Sequence, residues 1–134
     1  MDEGVFLIGF PEGEAKLVKD VLGGVSVHGV PRECLTWRLR EIVEEKPDGR
    51  SDWHERKFII THGSNELIKR VISAVRGLKL GRIIFVSTTP ISLERTLDDL
   101  ISEWIEEDEY FRAYQRSRMR AKSGGEPFLD IKKG

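Results

Sequence analysis

The chain has 134 residues, of which 39% are apolar and 34% charged, and its formal net charge is −1. One domain's length with both charge signs interspersed describes a globular fold and excludes a disordered or collagen-like chain. The single cysteine, Cys34, excludes an internal disulfide and a cysteine-cluster metal site.

No apolar run approaches the roughly 20 residues that a membrane span needs, so no membrane partner is expected. The acidic opening Met1-Asp2-Glu3-Gly4 lacks the basic start and long apolar run of a signal peptide, and the cytoplasm is the expected location. One Asn (Asn65) and one Gln (Gln115) beside many Glu, Lys and Arg fit a thermophilic source. Charge is unevenly spread. Residues 1–110 hold 15 Lys and Arg against 21 Asp and Glu, whereas residues 111–134 hold 7 against 2. An acidic body with a basic tail bears on partners rather than on fold.

In chain order, Val5, Phe6, Leu7 and Ile8 form a short apolar run that predicts a buried strand. Gly9-Phe10-Pro11-Glu12-Gly13 breaks it. A helix is predicted over 14–22, with Leu17, Val18, Val21 and Leu22 on one face. Gly23-Gly24 ends that helix, and a weaker strand follows at 25–28. The next helix is predicted over 32–45, with Leu35, Leu39, Ile42 and Val43 inward and Cys34 as a small buried hydrophobe. Residues 46–56 contain the turn Pro47-Asp48-Gly49 and read as a linker, with Trp53 packing onto the body or a neighbouring chain.

A third strand is predicted at 57–61 and a helix at 66–76, with Leu67, Ile68, Val71, Ile72 and Val75 inward. Ile83-Ile84-Phe85-Val86 gives the strongest strand signal, and Ser87-Thr88-Thr89-Pro90 turns into the last helix. That helix carries Leu93, Leu97, Leu100, Ile101 and Trp104 and is expected to continue past Glu109, with Ser123-Gly124-Gly125 ending it and 126–131 extended.

The chain repeats itself. Phe6 and Ile8 match Phe58 and Ile60 at an offset of 52. Leu17, Lys19 and Val21 match Leu67, Lys69 and Val71 at 50, and Leu35, Leu39, Ile42 and Val43 match Leu93, Leu97, Leu100 and Ile101 at 58. Strands alternating with helices predict right-handed crossovers and parallel pairing. The expected fold is therefore α/β. Two βαβα repeats, 5–45 and 57–110, share one mainly parallel four-stranded sheet in the order 2-1-3-4 with helices on both faces. The 46–56 linker joins them and a basic helical and extended tail, 111–134, completes a single domain. That order places a switch point between strands 1 and 3, with a crevice lined by loops 9–13 and 61–65.

The run Phe58-Ile59-Ile60-Thr61-His62-Gly63-Ser64-Asn65-Glu66-Leu67 is an apolar strand, a His-Gly pair, a small polar residue and an acidic, leucine-bearing helix. Phe85-Val86-Ser87-Thr88-Thr89-Pro90 then leads to Ser92-Leu93-Glu94-Arg95-Thr96-Leu97-Asp98-Asp99-Leu100. Together they resemble a family of small uncharacterised prokaryotic domains over residues 57–105, with a weaker echo over 5–45 in Leu35-Thr36-Trp37-Arg38-Leu39. The family's tryptophan before the last helix is absent, with Ile91 or Ser92 near its place. The resemblance implies a fold and no reaction.

Two groups of residues are candidates for function. His62, Gly63, Ser64 and Asn65, with Phe10 across the expected crevice, offer a helix N-terminus and an imidazole to an anionic ligand such as a phosphate or nucleotide. Ser64 and Asn65 are equally ordinary helix caps. Ser87, Thr88 and Thr89 stand at the end of an expected edge strand, away from the switch point. In the tail, Arg112, Arg116, Arg118, Arg120 and Lys122 interleave with Phe111, Tyr114 and Met119, a pattern suited to a protein surface or to nucleic acid. His28, His54 and His62 fall in separate segments without ligand spacing, so no metal is expected, and no cofactor or catalytic residue is assigned. The favoured expectation is a non-enzymatic interaction or regulatory module acting by self-association or through a protein partner. Anion binding at the loops and nucleic-acid binding through the tail are the alternatives.

Overall fold

The computed structural model describes residues 1–123 and the side chains of residues 1–119. It divides into two compact units after Leu100. The first carries β1 (Gly4–Ile8), α1 (Glu12–Val21), β2 (Val27–Gly29), a 3-10 turn (Arg32–Thr36), α2 (Leu39–Glu45), β3 (Lys57–His62), α3 (Asn65–Arg76), β4 (Ile83–Ser87) and a second 3-10 turn (Ser92–Glu94). Helix α4 (Leu97–Ser123) begins there and supplies the described part of the second unit.

The four strands form one sheet in the expected order, β2-β1-β3-β4. β1 pairs with β2, and β3 with β4, in parallel. The central pair runs the other way: β1 and β3 are antiparallel, with Gly4 opposite His62 and Ile8 opposite Phe58. The sheet is therefore mixed. The cause lies in residues 46–56, which run the length of β1 rather than returning the chain to its start. Lys46 Nζ lies 4.0 Å from Asp2 at the near end. Gly29 N–H donates to Asp48 Oδ1 at 3.0 Å, and Gly49 N–H donates to Gly29 O at 2.8 Å. Gly9 N–H, just past the far end of β1, donates to Ser51 O at 2.5 Å. Eleven extended residues reach up to about 36 Å, twice the ~17 Å of a five-residue strand. Trp53 Nε1–H donates to Val30 O at 2.8 Å, so this tryptophan packs onto its own chain.

Every apolar side chain of β1 is fully buried, so the sheet is covered on both faces. Successive strand residues alternate between faces. Val5, Leu7, Val27 and Ile59 pack with Val18 and Leu22 from α1 and its end, with Leu67, Val71 and Val75 of α3, and with Phe10. Phe6, Ile8, Phe58 and Ile60 point to the opposite face and are buried too, as are Leu39, Ile42, Val43, Leu97 and Leu100. Leu17 and Val21, expected inward, are exposed, because α1 seats on Val18 and Leu22 and leaves its flanks in solvent.

The helix expected over 32–45 is broken. Trp37 and Arg38 are extended between the 3-10 turn and α2. Arg38 forms an antiparallel bridge with Thr96, which stands at the corresponding point before α4. Leu39 N–H donates to Arg95 O at 3.0 Å and Leu97 N–H donates to Trp37 O at 2.9 Å. The Glu41 carboxylate caps α2 by accepting from Arg38 N–H at 2.8 Å. Arg40 binds Glu94 across the same junction. Cys34 is buried, and burial, then Glu33, push its thiol pKa up to about 11, which leaves it inert at neutral pH.

Candidate functional site

The turn from β3 into α3 holds His62, Gly63, Ser64 and Asn65. Ser64 is the N-cap, its Oγ accepting from Leu67 N–H at 3.2 Å, and Asn65 is the first helical residue. Ser64 N–H donates to Glu3 Oε2 at 3.0 Å, so a carboxylate of the chain itself occupies the positive end of α3. Gly63 is a spatial requirement: a Cβ there would stand 2.7 Å from Leu67 Cδ2 and 2.8 Å from Glu3 Oε2. Both are ends of flexible side chains, so Gly63→Ala is expected to displace Glu3 rather than break the fold. It should lower stability by about 1 kcal/mol, and Glu3→Gln by a similar amount. Urea titration of both variants and of the pair checks this, since a shared mechanism makes the losses less than additive.

Phe10 does not face this turn. With β1 and β3 antiparallel, loops 9–13 and 61–65 lie at opposite ends of the sheet, and the expected crevice between them does not form. Phe10 is instead a core residue; Lys57 Nζ lies 5.9 Å from its ring centre, and its carbonyl accepts from Ser51 Oγ at 3.1 Å.

The neighbour of the His62 turn is the threonine turn after β4. Parallel adjacent strands put their following loops side by side. Thr88 N–H donates to Thr61 O at 3.1 Å, and His62 Nδ1 lies 2.6 Å from Thr88 Oγ1. A cleft of about 290 Å³ is lined by His62, Gly63, Thr88, Thr89, Pro90 and Leu93. Its other hydroxyl is committed to capping: Ser92 N–H donates to Thr89 Oγ1 at 3.0 Å, and Thr89 N–H to Ser92 Oγ at 2.8 Å. Burial lowers the His62 pKa, the positive amino terminus and Lys46 reinforce this, and Glu3 opposes it. A neutral imidazole bonded to a threonine hydroxyl results, beside a helix end already neutralised by Glu3.

His28 on β2 behaves alike. Its ring stacks on Phe6 at 5.6 Å between centroids, its Nε2 bonds Ser26 Oγ, and its Nδ1 is buried without a hydrogen-bond partner. Burial lowers its pKa; Lys46 and Lys19 add to this and Asp48 opposes it. Both histidines thus bind protons less readily in the folded chain than at the ordinary value of 6.5. The unfolded chain takes up the extra protons first, so stability is full above pH 6.5 and falls as the pH drops towards the folded values. Urea midpoints are expected to fall between pH 7.5 and 5.5, and the slope should flatten in a His28→Asn/His62→Asn chain.

Helix α4 continues unbroken to Ser123, past the expected continuation at Glu109. Tyr110, Phe111, Tyr114 and Met119 are exposed, at 76%, 53%, 53% and 68%, and stand close together on this helix. Arg112, Arg116 and Arg118 are exposed among them, with the Arg118 guanidinium 5.9 Å from the Tyr114 ring centre. Arg120 and Lys122 lie on the same helix, but their side chains fall outside the described residues, as do residues 124–134 with the expected extended end. Two features went unread in the sequence. Ile83, Ile84, Phe85 and Val86 of β4, at the sheet edge, are only partly buried. A basic cleft of about 230 Å³ between α3 and β4 is lined by Arg76, Lys79 and Arg82 around Leu80 and Phe85.

Among the described residues no helix is long and apolar enough to cross a membrane. No curated protein and no solved structure matches the chain. Residues 57–111, which carry β3, α3, β4 and the first half of α4, match the family of domains of unknown function DUF3783, so the resemblance read over residues 57–105 is to an uncharacterised domain family.

Proposed function

We propose that the protein is a non-enzymatic α/β module that works by contact with another protein molecule, through the segment 105–119 of α4, whose residues 109–119 are all exposed. The observation that carries this is the set of exposed side chains Tyr110, Phe111, Tyr114 and Met119 on one uninterrupted helix. A helix of 27 residues is about 40 Å long, and one with exposed aromatics over its second half gains stability when a partner covers them. The anion-binding alternative at the α3 N-terminus is disfavoured because Glu3 already fills that position.

Residues 5–45 and 57–110 are read as two copies of a duplicated βαβα unit. In support, the Arg38–Thr96 bridge joins residues that stand at the sequence offset of 58, and Leu7 faces Ile59 at the offset of 52. A duplicated scaffold suits a module that presents a surface.

In-cell photo-crosslinking tests the interaction reading, with a photoreactive phenylalanine analogue replacing Tyr110. The expected result is a discrete protein adduct, with itself or with another chain, that disappears when Phe111→Ser and Tyr114→Ser are added. Adducts to nucleic acid alone would favour the basic-tail alternative and overturn this one, and so would the absence of any protein adduct.

A further inference from the structure

We infer that the partner is a second copy of the same chain, lying antiparallel along α4. The inference rests on the interaction reading above and names its occupant. Glu107, Tyr110, Phe111, Tyr114 and Arg118 follow one another at steps of three or four residues along the helix, apart from the adjacent pair 110 and 111, so they share one face. All five are exposed. That face is acidic at its start, aromatic in the middle and basic at its end.

The surrounding segments repeat the polarity. Residues 103–109 contain Glu103, Glu106, Glu107, Asp108 and Glu109 and no base, whereas residues 110–119 contain Arg112, Arg116 and Arg118 and no acid. A parallel pair would set Glu107 against Glu107 and Arg118 against Arg118. Like charges facing each other oppose association. An antiparallel pair sets Phe111 of one copy against Tyr114 of the other, and the same register sets Glu107 against Arg118. Both contacts then occur twice by two-fold symmetry, as an isologous interface requires. The aromatic centre supplies apolar area, and Arg118, already placed over the Tyr114 ring, keeps that stacking while it meets the carboxylate. Heptad positions a and d describe this stripe, with Phe111 and Arg118 at a and Glu107 and Tyr114 at d.

Charge reversal decides the matter, read by sedimentation equilibrium of the full chain with helicity checked by circular dichroism. The wild-type chain is expected to dimerise. Glu107→Arg and Arg118→Glu should each weaken dimerisation by roughly tenfold or more, because each sets like charges together. The combined Glu107→Arg/Arg118→Glu chain should recover dimerisation to near the wild-type level. Single reversals without effect, or a combined variant as weak as the singles, would overturn the antiparallel pair. A strictly monomeric wild-type chain would also overturn it, while a protein adduct with a different chain in the crosslinking experiment would leave the interaction reading standing.

Discussion

Replacing Gly9 with alanine is expected to lower the unfolding free energy by on the order of 3 kcal/mol. Gly9 has φ +86°, in the left-handed region where a Cβ crowds the following carbonyl. That Cβ would stand 1.9 Å from Arg56 O and 2.7 Å from Arg56 C. Both are backbone atoms of the segment entering β3, so no rotamer change relieves the clash. Relief would require moving the chain away from Ser51 O, which accepts from Gly9 N–H and pins the 46–56 segment to the end of β1. The control is Gly13, inside α1, where an added Cβ meets nothing within 4 Å. Gly13→Ala should be neutral or slightly stabilising. Urea unfolding of the two variants checks the pair of outcomes, and equal stability for both would contradict this account of the turn.

Phe58→Ala is expected to cost about 3–5 kcal/mol, the range for truncating a buried aromatic. Phe58 is fully buried, opposite Ile8 in the central antiparallel pair. The His54 ring packs edge-on against it at 5.2 Å, and Trp53 meets His54 in turn at 5.8 Å. Truncation therefore opens a cavity on the sheet and removes the ring on which His54 packs. Domains of this size are stable by about 5–15 kcal/mol, so the variant should unfold near physiological temperature or lose a large part of its denaturant midpoint. Phe58→Leu keeps most of the volume and is expected to lose under about 1.5 kcal/mol. A thermal melt of Phe58→Ala within a degree or two of wild type would show that the residue does not hold the two segments together.

The parts of the fold that depend on local pattern were legible in the sequence. The four expected strands form in the expected order, and Ser64 caps α3 as its type and position indicate. The direction of β3 was not legible. A strand buried on both faces reads as apolar in either direction, so Phe58, Ile59 and Ile60 carry no sign of it. What sets it is the path of residues 46–56, and Pro47-Asp48-Gly49 reads equally as a hinge or as a turn bonded to the backbone of Gly29. The break at Trp37 and Arg38 was hidden for a similar reason. Leu35, Leu39 and Ile42 fit one continuous helix, and only a bridge to Thr96, far along the chain, interrupts it.

The candidate site was legible in its residues and not in its grouping. His62 and Gly63 stand where β3 gives way to α3, His62 closing the strand and Gly63 beginning the turn. Their neighbours proved to be Thr88, through the parallel β3–β4 pair, and Glu3, whose carboxylate reaches Ser64 from 61 positions away. No local spacing announces a contact of that range. The α4 surface was more readable, because acidic, aromatic and basic residues succeed one another within a single predicted helix and need no tertiary knowledge to be ordered.

The central claim, that residues 105–119 of α4 are covered by another copy of the chain, is tested most directly by hydrogen–deuterium exchange followed over a range of protein concentrations. The account predicts that amides around Phe111 and Tyr114 slow down as concentration rises. Exchange in this segment that is rapid and independent of concentration would contradict it.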